Sequence, residues 1–337
     1  MKAAVLHGRH DITVENVPEP AVEPDGVIIK VRACGICGSD LHLYNHGVPA
    51  DWIPGHELSG DIVEVGANIA GIEIGERVVA ICGRGCGECY WCLRGEWLYC
   101  SRMQLLGYGM PGAFAEYVSV PNFLPGKYAE RLPESLSYEV GATAEPLSVA
   151  LYAVTKSKPR PGDDVVVIGA GVIGLCTVQV LKDAGVNSVI VSGRRAGRLA
   201  LAKKCGADLV VDAASEDALP LVQEATSGKG ADLVFDCAGT AGTFEQALRM
   251  VHRGGKVVLV GLYEQPFSWN PIVTVTNDID LIGCGLRFDL PGAIRLLDSG
   301  RVDTKPLITH EFPLADIKEA FETQATAQDA VKVLVKP

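Results

Sequence analysis

Two rhythms divide the chain. Up to about residue 148 the apolar positions fall in short runs, AAVL, ITVEN, VIIKVRA, GDIVEVG and RVVAIC, each cut off by Pro, Gly or Asp. Such runs predict short strands joined by turns. From about residue 163 apolar strands alternate with longer helical stretches. DDVVVIGAG leads into VIGLCTVQVLKDAG, SVIVSG into RLALAKKCG, and DLVVD into a helix near 216–227. DLVFDC, a helix near 243–252 and KVVLVG complete the series. This alternation predicts a parallel, doubly wound sheet. From about Leu281 the character is mixed again, with helices expected near 291–299 and 315–324. The expected α/β fold has a β-rich domain built from both chain ends, residues 1–148 and 281–337. A sheet-and-helix domain, residues 149–280, is inserted between them.

Composition narrows the choice of partner. Hydrophobic residues make up 48% and charged residues 21% of 337, the balance of a globular protein. A net charge of -11 disfavours nucleic acid, whose phosphates need a basic surface. No apolar run approaches the roughly 20 residues of a membrane span, and MKAAVLHGRHDITVEN lacks the apolar core of a signal peptide. The eleven cysteines are therefore expected to be reduced thiols or metal ligands, in the cytoplasm or a similarly reducing compartment.

Four of them, Cys86, Cys89, Cys92 and Cys100, crowd into GCGECYWCLRGEWLYC, within a loop of about 82–102. Four thiolates fill the coordination shell of a tetrahedral zinc, so such a site is structural. Cys82 is a nearby competitor with a poorer spacing. A second group leaves a position open. ACGICGSDLH carries Cys37, Ser39 and His42, PGHELSG carries His56 and Glu57, and TAEPLSVA carries Glu145. One thiolate, one imidazole and one or two carboxylates suit a catalytic zinc with room for substrate.

In combination, CGICGSDLH, GHELSG, the four-cysteine loop, GAFAEY, AEPLSVA, GAGVIG and KPLITHEFPLADIKEAFE resemble the zinc-dependent medium-chain dehydrogenases, most of all the sorbitol (polyol) branch. The resemblance implies a GroES-like catalytic domain, a Rossmann domain and an active site between them. It implies two zinc ions per chain, with Cys37, His56 and either Glu57 or Glu145 on the catalytic one. Ser39 then takes the alcohol proton; His42 either extends the relay or is a surface residue. The reaction implied is hydride transfer between a secondary alcohol, polyol or sugar and a nicotinamide nucleotide.

The nucleotide site is legible on its own. Gly169, Gly171 and Gly174 form GAGVIG after a strand, and Val172 and Ile173 open a helix there, so backbone can approach a pyrophosphate at a helix N-terminus. By similarity to the family, Gly193 occupies the position where NAD enzymes carry an acid. Arg194, Arg195 and Arg198 follow it, and Val260 and Gly261 end KVVLVG. A missing carboxylate and nearby guanidinium groups favour NADP over NAD.

Arg287 and Phe288 stand where the polyol branch has an Arg-Tyr pair near the substrate; Arg287 is otherwise an ordinary ion-pair residue. Tyr44, His46 and Trp52, in a loop between Cys37 and His56, are further candidates to line the pocket. Phe288 lacks the tyrosine hydroxyl and that loop is short, so the substrate itself is left open. An amino-alcohol activity like that of L-threonine 3-dehydrogenase is the alternative, and a non-catalytic zinc- and nucleotide-binding protein a remote one. Relatives commonly form homodimers or homotetramers through the Rossmann sheet edge, here KVVLVG through LIGCG.

Overall fold

The computed structural model describes residues 1–48, 51–81, 83–285 and 287–337. The chain forms two compact units. The first comprises Met1–Glu145, Phe288–Gly300 and Ile308–Pro337, and the second Pro146–Arg287 and Arg301–Leu307.

In the first unit, the strands Ala129–Arg131, Arg77–Ala80, Glu57–Val65, Val27–Gly35, Lys332–Lys336 and Ile308–Pro313 lie side by side in that order, and Tyr117–Val120 also pairs with Val27–Gly35. The strand Val27–Gly35 is central. Glu57 pairs with Gly35 from one side and Leu334 from the other, which brings residues nearly 300 positions apart together. The core holds Ile29, Val31, Leu58, Ile62, Phe114 and Phe321, all nearly inaccessible. Burial on this scale is worth about 1.5–3 kcal/mol per large apolar side chain. The sequence reading expected a tail of mixed character and placed only its helices; its two strands are Ile308–Pro313 and Lys332–Lys336. Their alternation is masked because Lys332–Val335 is buried on both faces.

In the second unit six parallel strands lie in the order Leu209–Asp212, Ser188–Gly193, Asp164–Ile168, Ala231–Asp236, Val251–Leu259, Asp280–Gly283. Numbered along the chain this order is 3-2-1-4-5-6, that of a Rossmann sheet. Its central strands are buried on both faces, which explains why their sequences are unbroken apolar runs. The sixth strand, Asp280–Gly283, hydrogen-bonds to the fifth, so residues 281–287 belong with this unit rather than with the β-rich one.

Candidate functional site: two metal clusters and a nucleotide turn

The strand Val27–Gly35 runs through Ile36 to Cys37, and the helix Gly38–His46 begins at once. This helix replaces the loop expected after Cys37. Its third residue, Asp40, folds back as a cap: the Cys37 N–H donates to Oδ2 at 2.9 Å. The Gly55 N–H donates to Oδ1 of the same carboxylate at 3.1 Å, and His56 Nδ1 lies 3.8 Å from that oxygen. Asp40, 1% exposed, thus fixes the segment carrying Cys37 against the segment carrying His56. Sequence reasoning missed it, although an acid three residues after Cys37 is a capping signal.

Ligand atoms of Cys37, His56 and Glu57 lie within 4.8 Å of one another. Sulfur, imidazole nitrogen and carboxylate oxygen are the donors zinc takes. Glu57 is also held from outside the cluster. Lys332 Nζ donates to its Oε1 at 2.8 Å and Oε2 at 2.5 Å, and to the Ile36 carbonyl at 2.8 Å. Both side chains of this pair are 1% exposed. Gly35 makes room for them, since a Cβ there would lie 2.1 Å from Glu57 Oε2.

Glu145, buried in the first turn of the helix Ala144–Ser157, faces the same region. Burial pushes its carboxyl up to about 7; His56 opposes that shift and Glu57 adds to it. Asp40, Glu57 and Glu145 are three buried carboxyl groups around one imidazole, one thiol and one lysine. Such a surplus of acids is costly unless a cation offsets it, so the residues present fit a divalent metal. The donor set that gathers within 4.8 Å here includes Glu57 rather than Glu145 among the described residues.

Ser39 and His42 ride on the helix Gly38–His46, both half-buried. The His42 ring stacks on His46 at 4.3 Å, and His46 Nδ1 lies 3.0 Å from the His42 carbonyl oxygen. Tyr44 corrects the sequence expectation. It is 1% exposed, packed 5.1 Å from the Phe321 ring and 4.7 Å from His10, so it belongs to the core rather than to a substrate pocket. Trp52 donates from Nε1 to the Gly107 carbonyl at 2.9 Å. Phe288 packs half-buried against the first unit's core, and Arg287 is half-buried in the second unit.

In the cysteine loop the sulfurs of Cys86, Cys89, Cys92 and Cys100 lie within 4.8 Å of one another. The Cys100 sulfur accepts the N–H groups of Cys86 at 3.4 Å and Arg102 at 3.3 Å. Two short helical turns, Cys92–Arg94 and Trp97–Tyr99, wrap the cluster. Gly85 is needed, because a Cβ there would meet Cys92 Sγ at 2.3 Å. The Glu88 amide favours the thiolate of Cys86, as a metal ligand requires. Four sulfur donors this close fit one tetrahedral zinc with no open position. Cys82 lies outside the described residues.

In the second unit, Gly169 has φ +104 and Gly171 precedes the helix Val172–Asp183. A Cβ on Gly174 would fall 1.9 Å from the Gly169 carbonyl oxygen, so close turn packing forbids any side chain there. Gly193 ends the second strand of the sheet. Arg198, half-buried on the helix Ala196–Lys204, brings Nη1 to 3.9 Å from where a Gly171 Cβ would stand. Burial and the neighbouring Arg195 pull its guanidinium down to about 10, still charged at neutral pH. Arg194 is exposed and Arg195 half-buried. Val260 and Gly261 follow the fifth strand, their N–H groups donating to the Asp236 carbonyl.

Comparison with known proteins agrees with both units. Residues 23–127 match the family "Alcohol dehydrogenase GroES-like domain" and residues 172–299 match "Zinc-binding dehydrogenase". The sorbitol dehydrogenase of Bacillus subtilis (strain 168) is 36% identical over 100% of this chain and 97% of its own. An L-threonine 3-dehydrogenase of Bacillus velezensis is 33% identical over 99% of each chain. A putative zinc-binding dehydrogenase from Sinorhizobium meliloti 1021, solved bound to NADP, superposes with a TM-score of 0.89 at 34% identity, covering 100% of this chain and 99% of that one. No described helix is long and apolar enough to cross a membrane. With the sulfur, nitrogen and oxygen donors gathered at Cys37, the chain belongs to the zinc-dependent medium-chain alcohol dehydrogenases, oxidoreductases that exchange hydride between a secondary alcohol and a nicotinamide nucleotide.

Proposed function

We propose that the chain oxidises a polyol, diol or sugar-type secondary alcohol with NADP, using one zinc at Cys37, His56 and an acid and a second at Cys86, Cys89, Cys92 and Cys100. The observation that carries the reading is the buried donor set of Cys37, His56 and Glu57, surrounded by an excess of carboxyl groups. Zinc there supplies Lewis acidity toward the substrate oxygen, and the nicotinamide accepts hydride.

The residues of the chain do the rest. Asp40 orients Cys37 and His56 through its backbone bonds. Lys332 holds Glu57 by both oxygens beside the metal cluster, and Glu57 or Glu145 supplies the acid ligand. Ser39, beside Asp40 in the helix, takes the hydroxyl proton, and His42 on the next turn passes it outward. Gly169, Gly171 and Gly174 accept the pyrophosphate against the N–H groups of Val172 and Ile173. Arg198 and Arg195 hold the 2′-phosphate, with Arg194 at the rim and no carboxylate at Gly193 to repel it. Val260 and Gly261 border the nicotinamide, and Arg287 and Phe288 contact the substrate.

The outer edge of Asp280–Gly283 has no partner strand among the described residues. The adjoining helix Ile272–Asn277 exposes Ile272 and Val275. These features support a homodimer or homotetramer built on that edge. Thiolate ligands suit a reducing compartment, the cytoplasm.

Metal analysis and a substrate screen test the reading together. Secondary alcohols, diols, polyols, sugars and L-threonine are each assayed with NADP and with NAD. Two zinc ions per chain and turnover of a polyol or diol are expected. One zinc per chain, or turnover confined to L-threonine, rejects it.

A further inference from the structure

We propose that Asp236 and Tyr263 are positioning residues for the nicotinamide half of the cofactor; the inference rests on the nucleotide reading above. A dinucleotide crosses a Rossmann sheet at the carboxyl ends of its strands, with the adenosine half toward the second strand. The second strand ends at Gly193, so the other half faces the ends of the fourth and fifth strands. Asp236 is the last residue of the fourth strand and is 0% exposed.

Its carboxylate joins both of the loops that leave those strands. Oδ1 accepts the N–H groups of Ala238 at 2.9 Å and Gly239 at 3.0 Å, while Oδ2 accepts the Tyr263 hydroxyl at 2.5 Å. The Asp236 carbonyl accepts Val260 N–H at 3.0 Å and Gly261 N–H at 2.8 Å. The two loops touch each other with no side chain between them, since a Cβ on Gly261 would lie 2.4 Å from the Gly239 nitrogen. The first loop also packs on the pyrophosphate turn: a Cβ on Gly169 would stand 3.3 Å from the Ala238 nitrogen. Tyr263 is anchored in turn against the rings of Phe244 and Phe267, 6.3 and 5.9 Å away. One buried carboxylate therefore sets the height of the backbone at Ala238, Gly239 and, through Tyr263, Gly261. Asp236, Gly239, Gly261 and Tyr263 all belong to the fourth and fifth strands or to the loops that leave them, not to the second strand.

That asymmetry makes the inference testable. Dissociation constants are measured for NADP and NAD and for their adenosine halves, 2′,5′-ADP and ADP. Tyr263→Phe and Asp236→Ala are expected to weaken the dinucleotides about tenfold while moving the fragments less than about twofold. Asp236→Asn keeps an acceptor for the Ala238 and Gly239 amides and should recover most of the loss. Equal weakening of dinucleotide and fragment, or no weakening of either, overturns the assignment. Tyr263→Phe leaves both amide bonds in place and carries the test alone if Asp236→Ala fails to fold. The wild-type preference between 2′,5′-ADP and ADP reports separately on NADP against NAD, so the two readings fail in different measurements.

Discussion

Lys332 and Glu57 form a bidentate ion pair, 2.8 and 2.5 Å, in which both side chains are 1% exposed and 275 residues of chain separate the partners. The pair closes the first unit by fastening the last strand beside the metal cluster. Breaking one side of such a pair strands a buried charge, at a cost of about 3–5 kcal/mol. Lys332→Met is thus expected to lower stability by that amount in urea unfolding, with Lys332→Arg much milder. Combining Lys332→Met with Glu57→Gln removes the stranded carboxylate and should restore most of the loss. Additive losses in the double variant would mean that the two groups do not interact.

The two metal clusters are expected to separate under mutation. Cys37→Ala should abolish turnover and lose one zinc while the chain still folds, with a smaller drop in the thermal transition than Cys86→Ala gives. Cys86→Ala should lose the other zinc and lower the transition, because the loop it ties has little apolar interior: Tyr90, Trp91, Leu93 and Tyr99 are all exposed. Metal content, turnover and melting on the same preparations check this. Parallel loss of folding in both variants would refute the division of labour.

The reading from sequence alone is most definite where chemistry is local. The four cysteines and the glycine turn are each contained in about 16 residues or fewer, so spacing alone reveals them. The parallel sheet was legible because strands buried on both faces spell continuous apolar runs. What escaped depends on pairing between distant strands. Lys332 in VKVLVK reads as an ordinary surface charge until the register sets it across Gly35 from Glu57. Tyr44 reads as a loop aromatic until a helix turns it onto Phe321. Asp236 reads as the end of a strand, and only the loops that converge on it show why the position is acidic.

Acid should weaken the second unit through Asp232. Its carboxylate meets Lys229 Nζ at 2.7 Å and His252 Nε2 at 2.8 Å, and accepts the Asp164 N–H at 2.8 Å. Burial works to raise its pKa, but these partners win and hold it below the usual carboxylate value. A depressed carboxylate contributes stability above its unfolded pKa of about 3.9 and loses it as pH falls through the lower folded value. Asp232→Asn should therefore cost about 1 kcal/mol at pH 7 and progressively less as pH falls below about 4. Urea unfolding at several pH values measures the difference. A penalty that stays constant down to the acid transition would exclude the ion pairs as its source.

Cofactor choice is best tested at Arg198. The more obvious change, Gly193→Asp, is compromised by packing: a Cβ there would meet Leu199 Cδ2 at 3.0 Å and Ala170 Cβ at 3.2 Å. An aspartate could then lower activity with either cofactor merely by shifting the strand end. Arg198 avoids that ambiguity because it reaches the glycine turn with the tip of a long side chain, near Gly171. Its guanidinium, drawn down only to about 10 by burial and Arg195, is charged throughout the working pH range. Losing a charge-assisted contact to a phosphate is worth about 1.5–3 kcal/mol, or roughly 10- to 100-fold in affinity. Arg198→Ala should raise KM for NADP by that factor and change KM for NAD by less than about threefold, whereas Arg198→Lys retains the charge and part of the preference. If both cofactors suffer equally, Arg198 binds the shared pyrophosphate instead, and the selectivity for the 2′-phosphate must come from Arg194 and Arg195.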